Sequence, residues 1–95
     1  MRIGAHETEI VGAWILQDGR VSNDAACSRI EALIQTELVF IAKDWSGWEA
    51  LYLDNNDGRY WERTFPHGEL QAGGPPALRI IDFNDAVQKY GLPVT

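Results

Sequence analysis

"LVFIAKDWSGWEALYLDNNDGRYWERTF", residues 38–65, decides the fold. Its β-branched and aromatic residues suit strands, and its two breaks, "SG" at Ser46 and Gly47 and "DNNDG" at Asp54 to Gly58, are turn chemistry. The first break predicts a two-residue loop that sets Trp45 opposite Trp48, Lys43 opposite Ala50 and Ile41 opposite Tyr52. If Asp54 then pairs with Arg59 across the second turn, Tyr52 meets Trp61 and Trp48 meets Phe65. Side chains alternate across a strand, so one sheet face carries Ile41, Trp45, Trp48, Tyr52, Trp61 and Phe65. The other carries Phe40, Leu51, Leu53, Tyr60 and Glu62. One face has a helix to cover it; the second is a candidate interaction surface.

Outward from this stretch, "EIVGAWILQ" reads as a strand and the "DG" of Asp18 and Gly19 as its turn into "RV", a short opening hairpin. Ser22 or Asn23 is then positioned to cap a helix running through Glu37. Ala26, Cys27, Ile30, Leu33, Ile34 and Leu38 recur at the helical period, with Asp24, Ser28, Glu31 and Gln35 on the wet side. Beyond "HGELQAGGPP", "ALRII" reads as a last strand. Asp82 is placed to cap a closing helix with a Phe83, Val87 and Tyr90 stripe, stopped by Gly91 with Pro93 beyond. The expected fold class is α+β: short N-terminal hairpin, helix, antiparallel β-meander packed by the helix, short C-terminal helix, all within one domain spanning residues 1–95.

Composition narrows the function. Eight basic against fourteen acidic residues give a net charge of −6 and a pI near 4.7. That disfavours direct nucleic-acid binding, which neutralises phosphates with cations, and favours a basic partner. A lone cysteine, Cys27, permits no internal disulfide and sits among packing positions rather than beside a group that activates a thiol. No stretch has the length and apolarity of a signal peptide or membrane span, so a soluble cytoplasmic protein is expected.

Chemistry is sparse. A helix-loop-helix calcium loop needs its glycine five positions after the first aspartate and a glutamate six further on. Gly58 instead follows Asp54 by four, and Glu62 follows Gly58 by four. His6, His67 and Cys27 lack paired ligand spacing, so no metal and no cofactor is expected. No nucleophile elbow or phosphate loop occurs, and "GGPP" reads as backbone shaping, with Gly73 and Gly74 free to enter positive φ and Pro75 and Pro76 fixing an extended exit. Glu49, Asp57 and Glu62 form an acid-base pair only if two of them converge; as strand and turn carboxylates they read as solvating.

Taken together, "ETEIVGAWIL", "RIEALI", "GWEALYLDNNDGRYWERTFPHGELQAGGPPALR" and "DAVQKY" resemble the small immunity proteins of bacterial polymorphic toxin systems, family number twenty-seven. The likeness covers roughly residues 7 to 90, and "DGRYWE" followed by "GGPP" is its most specific part. It implies an α+β protein that protects its producer by binding a cognate toxin domain, without catalysis and without residues of assigned catalytic role. Read with the charge, it makes Asp54, Asn55, Asn56, Asp57, Tyr60 and Glu62 a partner-facing acidic rim around a structural turn. The competing reading is a ligand- or carbohydrate-binding module in which Trp45, Trp48, Tyr52 and Trp61 form an exposed platform. Burial of those rings separates the two.

Overall fold

The computed structural model describes residues 2–66 and 74–92. Its elements run β1 (Glu9–Val11), β2 (Trp14–Gln17), β3 (Arg20–Asn23), α1 (Ala25–Thr36), β4 (Leu38–Lys43), β5 (Ala50–Asp54), β6 (Tyr60–Thr64), β7 (Ala77–Ile81) and α2 (Phe83–Tyr90). The fold class is α+β. A five-stranded sheet has the order β1-β7-β6-β5-β4, and β2 and β3 form a separate hairpin. All pairings are antiparallel.

The hairpin turns where the "DG" signal predicts, with Asp18 at φ 52 and Gly19 at φ 76, two left-handed residues in succession. The run "EIVGAWILQ" is nonetheless two strands, not one. At Gly12 the backbone is pressed against α1 and the sheet: a Cβ there would lie 2.6 Å from both the Cys27 Sγ and the Pro76 oxygen. Glycine alone fits, and the chain breaks at that point. β1 joins the main sheet beside β7, through Ile10 opposite Leu78, while β2 starts the hairpin.

Because β3 keeps pairing to its last residue, Asn23 opposite Trp14, neither Ser22 nor Asn23 caps α1. Asp24 does, its Oδ1 accepting from the Cys27 amide at 2.9 Å, which satisfies one of the amides a helix start leaves unpaired. The β1 and β4 strands between which α1 runs are the two edges of the sheet, so the helix carries the chain across it from one edge to the other. Three turns and a little more are about what four inter-strand gaps require. The helix buries Cys27, Ile30 and Leu33 on the way, and Leu38 of β4 joins them. Burial pushes the Cys27 thiol pKa up, aided by the Asp24 carboxylate, as befits an inert packing group.

Tyr52 does meet Trp61, Lys43 meets Ala50, and Trp48 and Phe65 touch edge-on with ring centroids 5.8 Å apart. Two details of the expected register differ. A bulge at Ile41 sets Phe40, not Ile41, opposite Tyr52, and so moves Phe40 to the α1 face. The β4–β5 connection is not a two-residue loop either: ladder pairing stops at Lys43 and Ala50, and Trp45 to Trp48 all lie in the loop. The second face is closed over Leu51 and Glu62 but not at its β4 edge, where Val39 opposite Leu53 stays 44% exposed. α2 covers it, with Ala86 buried, Phe83 against Tyr60 at 5.6 Å and Tyr90 reaching Glu62. Asp82 occupies the N-cap position without a side-chain cap bond, and Gly91 ends α2 in the left-handed conformation. His67, Gly73 and Pro93 lie outside the described residues.

Candidate interaction surface

The sheet buries two of the rim residues named from the sequence. Asp54 has 1% of its surface exposed, and its carboxylate does not project into water. Its Oδ1 instead accepts from the Asn56 amide at 2.9 Å, while its backbone bonds to Arg59 and Gly58 close the turn. Gly58, at φ 78, is the residue here that needs left-handed geometry; Asn55 and Asn56 do without it. Asn55, Asn56 and Asp57 are exposed, and Tyr60 is half-buried under Phe83.

The turn is stiffened from both sides. Asn56 Nδ2 donates to Glu37 Oε2 at 3.1 Å, tying the tip to the end of α1. Asp57 Oδ1 accepts from the Arg59 amide and its Oδ2 pairs with Arg59 Nε at 2.6 Å. Burial would raise the Asp57 pKa, but those Arg59 contacts outweigh it and hold the carboxyl below its usual range. Arg59 also donates to the Glu7 and Gly4 carbonyls at 2.6 and 3.0 Å, and its guanidinium lies 5.0 Å above the Trp61 ring. It straps residues 4–7 over the core. Arg29 secures the same segment through Glu7 at 2.5 Å, which brings the Glu7 pKa down to about 2.

Glu62 is the larger correction. Alternation puts it opposite Trp61, as expected, but the face it enters is closed by α2 and none of its surface is exposed. Its carboxylate accepts from Tyr90 Oη at 2.8 Å and Arg79 Nε at 3.3 Å, and pairs with Lys89, which also bridges to Glu49 at 2.6 Å. Desolvation alone would raise the Glu62 pKa; Lys89, Tyr90 and Arg79 win and lower it. Burial and the same carboxylate push the Tyr90 phenol up. Glu49 and Glu62 thus converge on a lysine, both as acceptors. Lys89 thereby ties both β6, through Glu62, and the entry to β5, through Glu49, to α2, and the cluster is a clasp between the sheet and that helix. Among the described residues, no three His, Cys, Asp or Glu side chains gather to hold a metal ion.

The four-ring platform does not assemble. Tyr52 and Trp61 belong to the core cluster with Ile30 and Leu33 of α1, Trp61 with no exposed surface at all. Trp45 and Trp48 remain outside, at 96% and 55% exposure. They sit on a loop that strand propensity alone absorbs into β4 and β5. The signal that could have found it is Asp44: an aspartate two residues ahead of Ser46-Gly47 can cap its own loop. Asp44 Oδ1 accepts from the Ser46 hydroxyl at 2.8 Å and the Gly47 amide at 2.9 Å, and the Asp44 amide donates to the Glu49 carbonyl at 3.0 Å.

No helix among the described residues is long and apolar enough to cross a membrane. The chain matches no curated protein and no solved structure. The family model of immunity protein 27 matches residues 16–82, from β2 through the whole of β7 and well over half of the 95 residues. The chain therefore belongs to the immunity protein 27 family.

Proposed function

We propose that this protein neutralises a cognate bacterial polymorphic toxin in the cytoplasm by stoichiometric binding, without catalysis. Family membership is the observation that carries this reading. A rim that is exposed yet braced supports it. Asn55, Asn56 and Asp57 stand at the tip of a turn fixed by Asp54, Glu37 and Arg59, with Tyr60 beside them, so little ordering is needed on binding. Asp54 and Glu62 serve this rim from behind: one closes the turn and the other anchors β6 to α2. The net charge of −6 favours a basic toxin surface and faster encounter with it.

The test is co-expression with the toxin domain encoded beside this gene, followed by association kinetics on the purified pair. The wild-type protein should protect cells and form a one-to-one complex. Asp57→Asn should slow association at low salt by up to about fivefold, the worth of about 1 kcal/mol for one rim charge, and the deficit should fade as salt rises. A wild-type protein that neither binds nor protects would end this reading.

A further inference from the structure

The most exposed large apolar side chain of the described residues is Trp45, at 96%, and the fold makes no use of it. A scattered surface hydrophobe is ordinary, but this one is carried by a loop built to hold it out. The local geometry needs only Asp44, Ser46 and Gly47. Asp44 accepts from Ser46, Gly47 and Glu49, Ser46 Oγ accepts from the Trp48 amide at 3.1 Å, and Gly47 takes φ 79. Two of the four residues from Trp45 to Trp48 are tryptophans whose side chains none of these bonds requires. Trp48 is half-pinned edge-on against Phe65, which fixes the platform from which Trp45 projects.

Resting on the neutralisation reading above, we propose that the Trp45–Trp48 loop is the principal anchor for the cognate toxin. Its indole enters an apolar recess on the toxin edged by lysine or arginine side chains. The charge around the loop names that edge. A hollow beside the loop is walled by Trp48 and Phe65 and bordered by the Asp44 and Glu49 carboxylates; Arg63 already lies over the Phe65 ring at 5.0 Å, so the half-exposed Trp48 ring beside Asp44 is the part that suits a cationic side chain of the toxin. Glu49 is already engaged by Lys89, so Asp44 carries the larger part. Burial would push the Asp44 carboxyl up, yet Ser46 and the Glu49 and Gly47 amides bring it below its usual range and keep it charged.

Aromatic anchors on rigid loops are where binding energy concentrates, because a large area is desolvated with little conformational entropy lost. The loop and the Asn55–Asp57 turn stand at opposite ends of the five-residue β5, and from Trp45, about level with position 48, to Asn55 is about seven residue rises, roughly 23 Å. A standard interface of about 800 Å² per partner is roughly 30 Å across. One toxin surface can therefore span both, with its anchor at the tryptophans and its electrostatic contact at the turn.

The experiment measures toxin affinity and thermal midpoint for the wild type, Trp45→Ala, Trp45→Phe and Asp57→Asn. Trp45→Ala should weaken binding at least about 30-fold, the usual hot-spot threshold, with an unchanged midpoint. Trp45→Phe should lose less, and the change in tryptophan fluorescence on binding should shrink in it because the ring that becomes buried is gone. Asp57→Asn should cost less affinity than Trp45→Ala; the reverse order would make the turn, not the loop, the principal anchor. Wild-type binding with Trp45→Ala equally tight would overturn the anchor and leave neutralisation standing. A midpoint that falls in parallel with affinity would also overturn it, by making Trp45 structural. Failure of the wild type itself to bind removes the anchor along with the neutralisation reading.

Discussion

Trp61 and Glu62 are adjacent in β6, neither has any exposed surface, and they lie under different helices. Beneath α1, Trp61 joins Ile30, Leu33, Tyr52 and Leu78, and burial there is chiefly apolar area removed from water, the indole Nε1 alone on that ring being a buried polar atom, without a partner among the described residues. Beneath α2, Glu62 is satisfied by Tyr90, Lys89 and Arg79, and burial there is of a charge that three polar partners meet. α1 makes the core, whereas α2 closes a face that would otherwise offer Leu51 and Glu62 to solvent, and it is held there by a clasp. Buried ion pairs of this kind contribute little net stability but are costly to break, so the two faces should respond differently to mutation.

The largest effect belongs to the α1 face. Trp61→Ala empties the largest fully buried side chain and should cost about 3 to 5 kcal/mol in chemical denaturation, if the chain folds at all. A loss under about 1 kcal/mol would mean that α1 does not close over β6, and the apolar half of the comparison would fail.

Trp61 is legible in the sequence and Glu62 is not, for a reason that lies in their neighbours. The turn at Asp54 to Arg59 fixes the β5–β6 register, which puts Tyr52 against Trp61, and α1's apolar period supplies a cover. Alternation also places Glu62 on the far face, but whether that face is wet depends on where α2 docks. The eight residues of α2 carry only a short apolar stripe, and its decisive contacts, Lys89 and Tyr90 to Glu62, are polar and distant in sequence. Asp54 is hidden in a similar way: an aspartate before Asn-Asn reads as a water-facing turn residue until its own carboxylate is seen capping Asn56. The bulge at Ile41 leaves no pattern in a run of apolar strand formers, whereas the isolated Gly12 inside "EIVGAWILQ" is a signal of close backbone approach that strand propensity alone passes over. Trp45 reads as a strand residue because strand propensity carries no information that Asp44 ends the ladder.

A smaller effect is expected on the α2 face. Removing one partner of a fully buried pair costs about 3 to 5 kcal/mol. Here Lys89 and Arg79 keep 35% and 58% of their side-chain surface and can return to water, so Glu62→Gln should cost about 1 to 3 kcal/mol. The loss should depend on pH in one direction. Glu62 has a folded pKa below the ordinary 4.5, so its contribution is present above that value and disappears as pH falls through the folded value. Wild type and Glu62→Gln should therefore differ at pH 7 and converge in acid, when melted across the range. Glu7, brought down to about 2, adds to the acid loss in both proteins alike and cancels from the difference. A gap that stays constant from pH 7 to pH 3 would show that Glu62 acts through shape rather than charge.

The smallest effect separates the clasp from the packing around it. Tyr90→Phe deletes one hydroxyl and keeps the ring against the sheet. The phenol, pushed up by burial and by the Glu62 carboxylate, remains a donor throughout the working range, so its bond to Glu62 Oε2 at 2.8 Å is always the one removed. A hydrogen bond to a charged acceptor contributes about 1.5 to 3 kcal/mol, but Lys89 pairs with the same oxygen and compensates in part, which brings the expected cost to about 1 kcal/mol. Combined with Glu62→Gln, the two losses should sum to less than their separate values, because a neutral amide oxygen at position 62 is a weaker acceptor for the Tyr90 hydroxyl than the carboxylate is. Additive losses in that double-mutant cycle would place Tyr90's contribution in contacts other than Glu62. A Tyr90→Phe variant as stable as the wild type would mean that Lys89, bridging Glu62 and Glu49, holds the clasp by itself and that the Tyr90 hydroxyl adds nothing to it.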